Sequence, residues 1–109
     1  MKLITREVLR RILGAQYTLE KSSGEKYTIQ CEIQSITTED VKFGSYGVWD
    51  IGNLRGFFLP YYEIEGETVT VEEDDILYVG DERYRVERII RHLFRGEEVF
   101  REALLERII

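Results

Sequence analysis

Short alternating strands separated by tight polar turns are the feature that most constrains how this chain can fold. Residues 74–86 read DDILYVGDERYRV: two acids, four apolar residues, a Gly-Asp turn, and then a second alternating run. Just upstream, residues 68–72 alternate as well and are rich in β-branched side chains, which favour strands. Strands this short and this regularly spaced are typical of a small barrel or sandwich. The pattern therefore predicts a mainly β fold, a small β-barrel or sandwich.

The same alternation appears on both sides of this region. Between residues 16 and 33 it flanks a turn at Ser22-Ser23-Gly24, which predicts a hairpin. Within that hairpin Cys31, the one cysteine, is expected to be a buried small apolar side chain. A further strand is expected over residues 84–92, with the last turn at Arg95-Gly96.

The C-terminal segment supports two assignments. In residues 100–109, FREALLERII, three apolar residues recur at helical spacing, and local propensity favours a helix. Their spacing of four is even, however, so they would also share one face of a strand. The preceding turn at Arg95-Gly96 would make the segment the second arm of a hairpin, which favours the strand.

A short helix is expected over residues 5–13, ahead of the strands. Thr5 can cap its start, and Gly14 can end it in a left-handed conformation. Its apolar stripe consists of Val8, Leu9, Ile12 and Leu13. A helix this short is marginal alone, so the stripe is expected to dock on the β domain.

A long central loop is expected over residues 41–58, because glycines and aromatic side chains break the alternation there. The surrounding segment, residues 40–60, reads DVKFGSYGVWDIGNLRGFFLP. Its glycines make it costly to order, while its aromatic side chains give it apolar surface to bury. The loop is therefore expected to prefer a partner surface.

Overall size and composition are those of one globular domain. The 109 residues allow a single modest core, and 43% of them are hydrophobic. No apolar run approaches the roughly 20 residues of a membrane-spanning helix, and the N-terminus does not resemble a secretory signal. An intracellular origin fits these features, and abundant Glu, Arg and Ile with little Asn and Gln suggest a thermophile.

Charge is divided unevenly between two neighbouring segments. Residues 63–82 contain nine acids and no base, whereas residues 83–95 contain five arginines and one acid. One interpretation is that these are solvated faces of adjacent strands, paired across the ladder. The other is head-to-tail association, in which the acidic edge of one subunit meets the basic edge of the next. The residues expected at such an interface are Glu72, Asp74, Asp75, Arg83, Arg85, Arg88 and Arg91.

The sequence carries no recognisable catalytic or metal-binding motif. His92 is the single histidine, and its place within a predicted strand favours a surface or packing role. No second histidine or cysteine is present to build a zinc site. The acids at 72–75 lack calcium-loop spacing and are expected to form a plain turn. We therefore expect no enzymatic activity and no cofactor.

The order of elements and the 74–86 motif resemble the head-closure, or stopper, proteins among the head–tail connectors of tailed bacteriophages and related archaeal viruses. The family pattern is Gly-Asp, an apolar strand, Gly-x-x-Tyr-x-Val and a closing strand. Here Asp74-Asp75 stands in place of Gly-Asp, and Gly80 is followed by Tyr84 and Val86, with the tyrosine one residue later than in the family pattern. The resemblance covers most of residues 25–109.

The resemblance implies a structural protein of the virion neck, made in the host cytoplasm and assembled there. Members form a ring, usually a dodecamer, between the portal or adaptor ring and the tail, while the isolated chain can be a monomer. In some members, a central loop reaches into the channel and closes it on the packaged double-stranded DNA. Residues 41–58 would be that loop, with Lys42, Tyr46, Trp49 and Arg55 facing the channel or the DNA. The loop aromatics would alternatively cover an open end of the barrel itself.

Two alternative functions stay open. An OB-like small barrel would bind single-stranded nucleic acid with exposed aromatic side chains, such as Tyr84 and Phe94, beside the arginines of residues 83–95. The net charge of −6 argues against this alternative. Another neck position, such as tail completion or the adaptor ring, is the second alternative.

Overall fold

The computed structural model describes residues 14–35 and 53–108, and these residues form a mainly β structure, as predicted. Its eight strands are β1 (Ala15–Glu20), β2 (Lys26–Ser35), β3 (Leu54–Phe58), β4 (Tyr62–Ile64), β5 (Glu67–Val69), β6 (Ile76–Val79), β7 (Glu82–Phe94) and β8 (Glu97–Ile108). The helix predicted over residues 5–13 lies outside the described residues, as do residues 41–52 of the predicted loop.

Six of the strands close into an antiparallel barrel in the order β1-β2-β3-β8-β7-β6. Closure comes from β1, which pairs with β2 along its full length and with β6 through residues 18–20. The sequence predicted either a barrel or a sandwich, and the structure is a barrel. Strands β4 and β5 form a separate two-stranded sheet that packs against the core through Tyr62 and Val69.

The barrel interior is filled by alternate side chains from the surrounding strands. The largest fully buried apolar side chains in the interior cluster are Leu19, Ile29, Phe58, Leu77, Leu105, Val71 and Val86. Cys31 belongs to the same cluster, which confirms the prediction that it is a buried small apolar side chain. Gly56 and Ala103 face each other across β3 and β8, and the absence of a Cβ at Gly56 leaves room for the Phe58 ring.

The β7–β8 hairpin contains the longest strands, of 13 and 12 residues. Its connection is the predicted two-residue turn, with positive φ angles at Arg95 (53°) and Gly96 (81°), as in a type I′ turn. The ambiguous C-terminal segment is therefore a strand. Pairing with β7 along the segment and with β3 over residues 101–105 satisfies many of its backbone groups and overrides its helical propensity.

Two predicted boundaries are wrong. The loop expected over residues 41–58 does not include 54–58, which form β3; Gly56 at an inward position concealed the alternation there. The strand expected over 68–72 ends at Val69. Beyond it, the carbonyl oxygens of Thr70 and Val71 accept hydrogen bonds from the side chains of Lys21 (2.5 Å) and Arg101 (2.8 Å).

Candidate functional surfaces

The acids predicted at a subunit interface do not share one exposed surface. Asp75 is only 1% exposed, and its Oδ2 lies 2.5 Å from Nζ of Lys21 and accepts a 2.9 Å hydrogen bond from the Glu72 amide. Asp74 and Glu72 are exposed, but they pair with Arg85 (3.2 Å) and Lys21 (3.0 Å) of the same chain. Asp75 is therefore unavailable to a second subunit, and an interface role for Glu72 and Asp74 stays a prediction.

Two of the predicted interface arginines pair with acids of β8. Arg85 lies directly opposite Glu106 in the β7–β8 ladder, with their charged atoms 3.7 Å apart. Arg91 Nε lies 2.7 Å from Glu98 Oε1. These contacts agree with the interpretation that the charges are paired across adjacent strands. The two acids belong to β8, however, so the acidic segment of residues 63–82 does not supply every partner.

The other two predicted interface arginines, Arg83 and Arg88, are exposed on β7. Arg83 lies opposite Tyr78 of β6, whereas Arg88 lies opposite Leu104 of β8. A register shift between Val86 and Arg88 interrupts the ladder between these two arginines. Their side chains therefore do not follow one uninterrupted alternation between the two faces of β7. Their role at an interface stays a prediction.

A cluster of two arginines and one acid stabilises the outer half of the hairpin. Arg91 and Arg101 are direct neighbours in the ladder, and like charges in that position repel. Glu98 lies between them, 2.5 Å from Arg101 Nε and 2.7 Å from Arg91 Nε. Burial by itself would raise the pKa of Glu98, but the hydrogen bonds from Arg101 and Arg91 outweigh it and hold that pKa below its ordinary value.

A polar network that the sequence analysis missed links β7, β8, β3 and β2. His92 Nε2 lies 2.9 Å from Glu102 Oε1, and the other Glu102 oxygen lies 3.8 Å from Arg55 Nε. Arg55 in turn donates a 3.1 Å hydrogen bond to the Gln34 side chain. Arg55, predicted to face a DNA channel from a loop, therefore lies on a barrel strand within this network.

Aromatic rings pack beside the same network. The His92 ring stacks on Phe100 with centroids 4.2 Å apart and an interplanar angle of 16°. Phe57 lies 6.0 Å from Phe100, and the Arg55 guanidinium lies 5.4 Å from the Phe57 centroid. His92 thus has packing contacts of the kind predicted. Reflection of the sequence about the turn at residues 95–96 brings 90–92 opposite 99–101, and the register shift between His92 and Leu93 moves this pairing by one residue, so the turn alone does not locate the partners of His92.

The tip of the β7–β8 hairpin extends past both neighbouring strands. The β6–β7 ladder reaches only Arg85, and the β3–β8 ladder begins only at Arg101. Leu93, near the tip, is 52% exposed, and within residues 14–35 and 53–108 only Tyr61 is a comparably exposed large hydrophobic side chain. Among the described strands, the tip is therefore a two-stranded ribbon with an apolar side chain available for contact.

The remaining predicted channel residues, Lys42, Tyr46 and Trp49, lie outside the described residues. Within residues 14–35 and 53–108, no three His, Cys, Asp or Glu side chains are grouped to hold a metal ion. A search of that same part of the chain found no helix with the length and apolar character needed to cross a membrane.

Comparisons of the chain with protein-family models, with curated proteins and with solved structures gave no match.

Proposed function

We propose that this chain is a ring-forming structural subunit of the neck of a tailed virus. It joins the portal or adaptor ring to the tail and closes the DNA channel after packaging. The resemblance of residues 25–109 to head-closure proteins suggests this class. The observation that carries the proposal is the β7–β8 hairpin tip, which extends past both neighbouring strands and exposes Leu93.

A projecting hairpin suits this task because it reaches an adjacent subunit while the closed barrel stays intact. Pairing of the barrel strands with one another limits unwanted edge-to-edge association, except at the edge of β2 over residues 26–31, which the described strands leave unpaired. Each subunit contacts the next in a head-to-tail manner, and a rotation that closes gives a ring. Arg55 lies on β3 and donates a hydrogen bond to Gln34, so we assign the contact with the DNA to the part of the predicted loop that includes Lys42.

Single-stranded nucleic-acid binding receives less support. That function needs a positively charged groove beside exposed aromatic rings. Two of the arginines that would supply the charge, Arg85 and Arg91, lie beside acids of the same chain. Tyr84, one of the aromatic residues considered for stacking, is 6% exposed.

The test is electron microscopy of virus particles produced after deletion of the gene. Capsids that package DNA, lose it and remain tailless are the expected result. Normal tailed particles would contradict the proposal. Complementation then tests the hairpin: Leu93→Glu is expected to leave the particles tailless, whereas Leu93→Met, which keeps a large apolar side chain at the tip, is expected to restore tails.

A further inference from the structure

An open groove of about 710 Å³ lies where β3 separates from β2. One wall is formed by β2 with Gln16 of β1 beside it, and the other by the segment of residues 59–64 that leads into β4. Glu63 lines the groove, and no lysine or arginine is found among its lining residues in the described part of the chain. Clefts of this size are large enough to hold a ligand or a short peptide.

The groove begins where the β2–β3 ladder ends, at the pair Glu32 and Phe57. Continuation of the ladder would place Gln30 opposite Leu59. The hydroxyl of Tyr62 stands between them instead: it accepts a 3.1 Å hydrogen bond from the Leu59 amide and donates a 2.6 Å bond to the Gln30 carbonyl. A side chain has therefore replaced direct pairing of the two strands at this point.

Pro60 prevents the β2–β3 ladder from resuming after Leu59. It follows Leu59 and has no amide hydrogen with which to continue the ladder. Among the described strands, none pairs with this edge of β2 over residues 26–31. An unpaired strand edge is a template for another extended chain.

Backbone groups on both walls point into the groove. Successive residues of a strand direct their N–H and C=O groups to opposite edges. Because the Gln30 carbonyl points towards Tyr62, Thr28 directs its N–H and C=O to the same side. Across the groove, a two-residue turn connects Ile64 to Glu67, and in such a turn the backbone groups of these two residues hydrogen-bond to each other. The backbone groups of the preceding residue, Glu63, therefore point away from β5.

We infer that this groove docks an extended, basic peptide segment of a partner protein, which adds as a strand to the β2 edge at Thr28. Main-chain hydrogen bonds to Thr28 supply affinity, as in other cases of strand addition. The preference for basic side chains follows from the Glu63 carboxylate, from the lack of a lining base and from the net charge of −6. Tyr61, which lines the groove and is 56% exposed, is an aromatic side chain of the kind that a cation can contact.

Fluorescence anisotropy with three labelled synthetic peptides tests the inference. The first alternates lysine with valine, the second alternates glutamate with valine, and the third is the lysine peptide with alternate backbone nitrogens methylated. The lysine peptide is expected to bind, and each of the others to bind about tenfold more weakly or worse. Equal binding of the glutamate peptide would overturn the charge preference, and equal binding of the methylated peptide would overturn strand addition.

Two matched pairs of variants locate the site. Thr28→Pro removes the amide donor and is expected to weaken binding of the lysine peptide about tenfold, whereas Thr28→Ala keeps the amide and is expected to bind normally. Glu63→Gln is expected to weaken binding, whereas Glu65→Gln, in the adjoining turn, is not. Unchanged affinity in both Thr28→Pro and Glu63→Gln, or no binding of the lysine peptide by the wild-type chain, would overturn the inference. Sedimentation showing a dimer that Thr28→Pro converts to a monomer would overturn it in favour of a second copy as the occupant.

Discussion

The ammonium group of Lys21 lies 2.5 Å from Oδ2 of Asp75, and this ion pair joins the β1–β2 turn to the start of β6. Asp75 is 1% exposed, and the Lys21 side chain is 16% exposed. Lys21 also contacts the Thr70 carbonyl (2.5 Å) and Glu72 (3.0 Å), so that its three donors all have acceptors. The pair therefore joins the β1–β2 turn to the segment of residues 70–75, which is distant from it in sequence, and each charge has hydrogen-bonding partners that offset its burial.

Removal of the cation from this pair is expected to destabilise the fold strongly. Lys21→Met leaves the Asp75 carboxylate buried without its counter-charge, and a loss of about 3–5 kcal/mol in the free energy of unfolding is expected, measured by urea denaturation. Asp74→Asn is the control, because it breaks only the exposed pair with Arg85 and should cost about 1 kcal/mol or less. A loss in Lys21→Met no larger than in this control would contradict the prediction.

The close approach of Phe58 to Gly56 predicts a second large effect. A Cβ at residue 56 would lie 2.6 Å from the Phe58 ring and 3.3 Å from Leu105. Because Phe58 is fully buried, its ring has little room to move, and Gly56→Ala is expected to cost about 1–3 kcal/mol. The cost should fall when the same substitution is made in a Phe58→Leu background. Equal costs in the two backgrounds, measured by thermal or urea unfolding, would show that the ring is not the cause.

Protonation of Glu98 is expected to contribute to acid unfolding. Its hydrogen bonds with Arg101 and Arg91 hold its pKa in the folded chain below the ordinary value of 4.5. The stabilisation is therefore fully present above the ordinary pKa and is lost as the pH falls through the lowered one. Urea midpoints measured between neutral and acidic pH should show a flatter pH dependence for Glu98→Gln than for the wild type. Glu97→Gln, at the exposed neighbouring residue, should keep the wild-type slope; equal slopes in all three proteins would refute this role.

Cys31 is expected to resist modification while the chain is folded. Burial raises the pKa of its thiol, so that little of the reactive thiolate is present at neutral pH, and the side chain is 0% exposed. A thiol-specific chromogenic reagent should react with it only after unfolding in urea. The exposed variant Ser22→Cys supplies the comparison, because its added thiol should react at once. Native Cys31 reacting at a similar rate would contradict the prediction.

Local patterns in the sequence predicted the turns and most of the strands. The Arg95-Gly96 turn follows from a glycine placed between two apolar runs, because a two-residue hairpin turn needs positive φ angles. The burial of Cys31 follows from alternation, because successive side chains of a strand point to opposite faces. These features depend on neighbouring residues alone.

Features that depend on register between distant strands were missed. The contact of His92 with Glu102 depends on the register shift between His92 and Leu93 in the β7–β8 ladder, and the contact of Arg55 with Gln34 requires the β2–β3 pairing. Arg55 was placed in a loop because the glycine beside it concealed a strand. The choice of strand over helix for the C-terminal segment was likewise decided by backbone pairing on both of its edges.

Asp75 is the clearest example of the difference between what the sequence determines and what only the tertiary structure determines. The sequence by itself determined a mainly β chain, its turn positions and the uneven distribution of charge, because these follow from side-chain alternation and local backbone preferences. By charge alone, Asp75 resembles the exposed acids beside it. Only the tertiary structure decided that it is buried against Lys21, since the free energy of a charge depends on which distant groups surround it and on how much water they exclude.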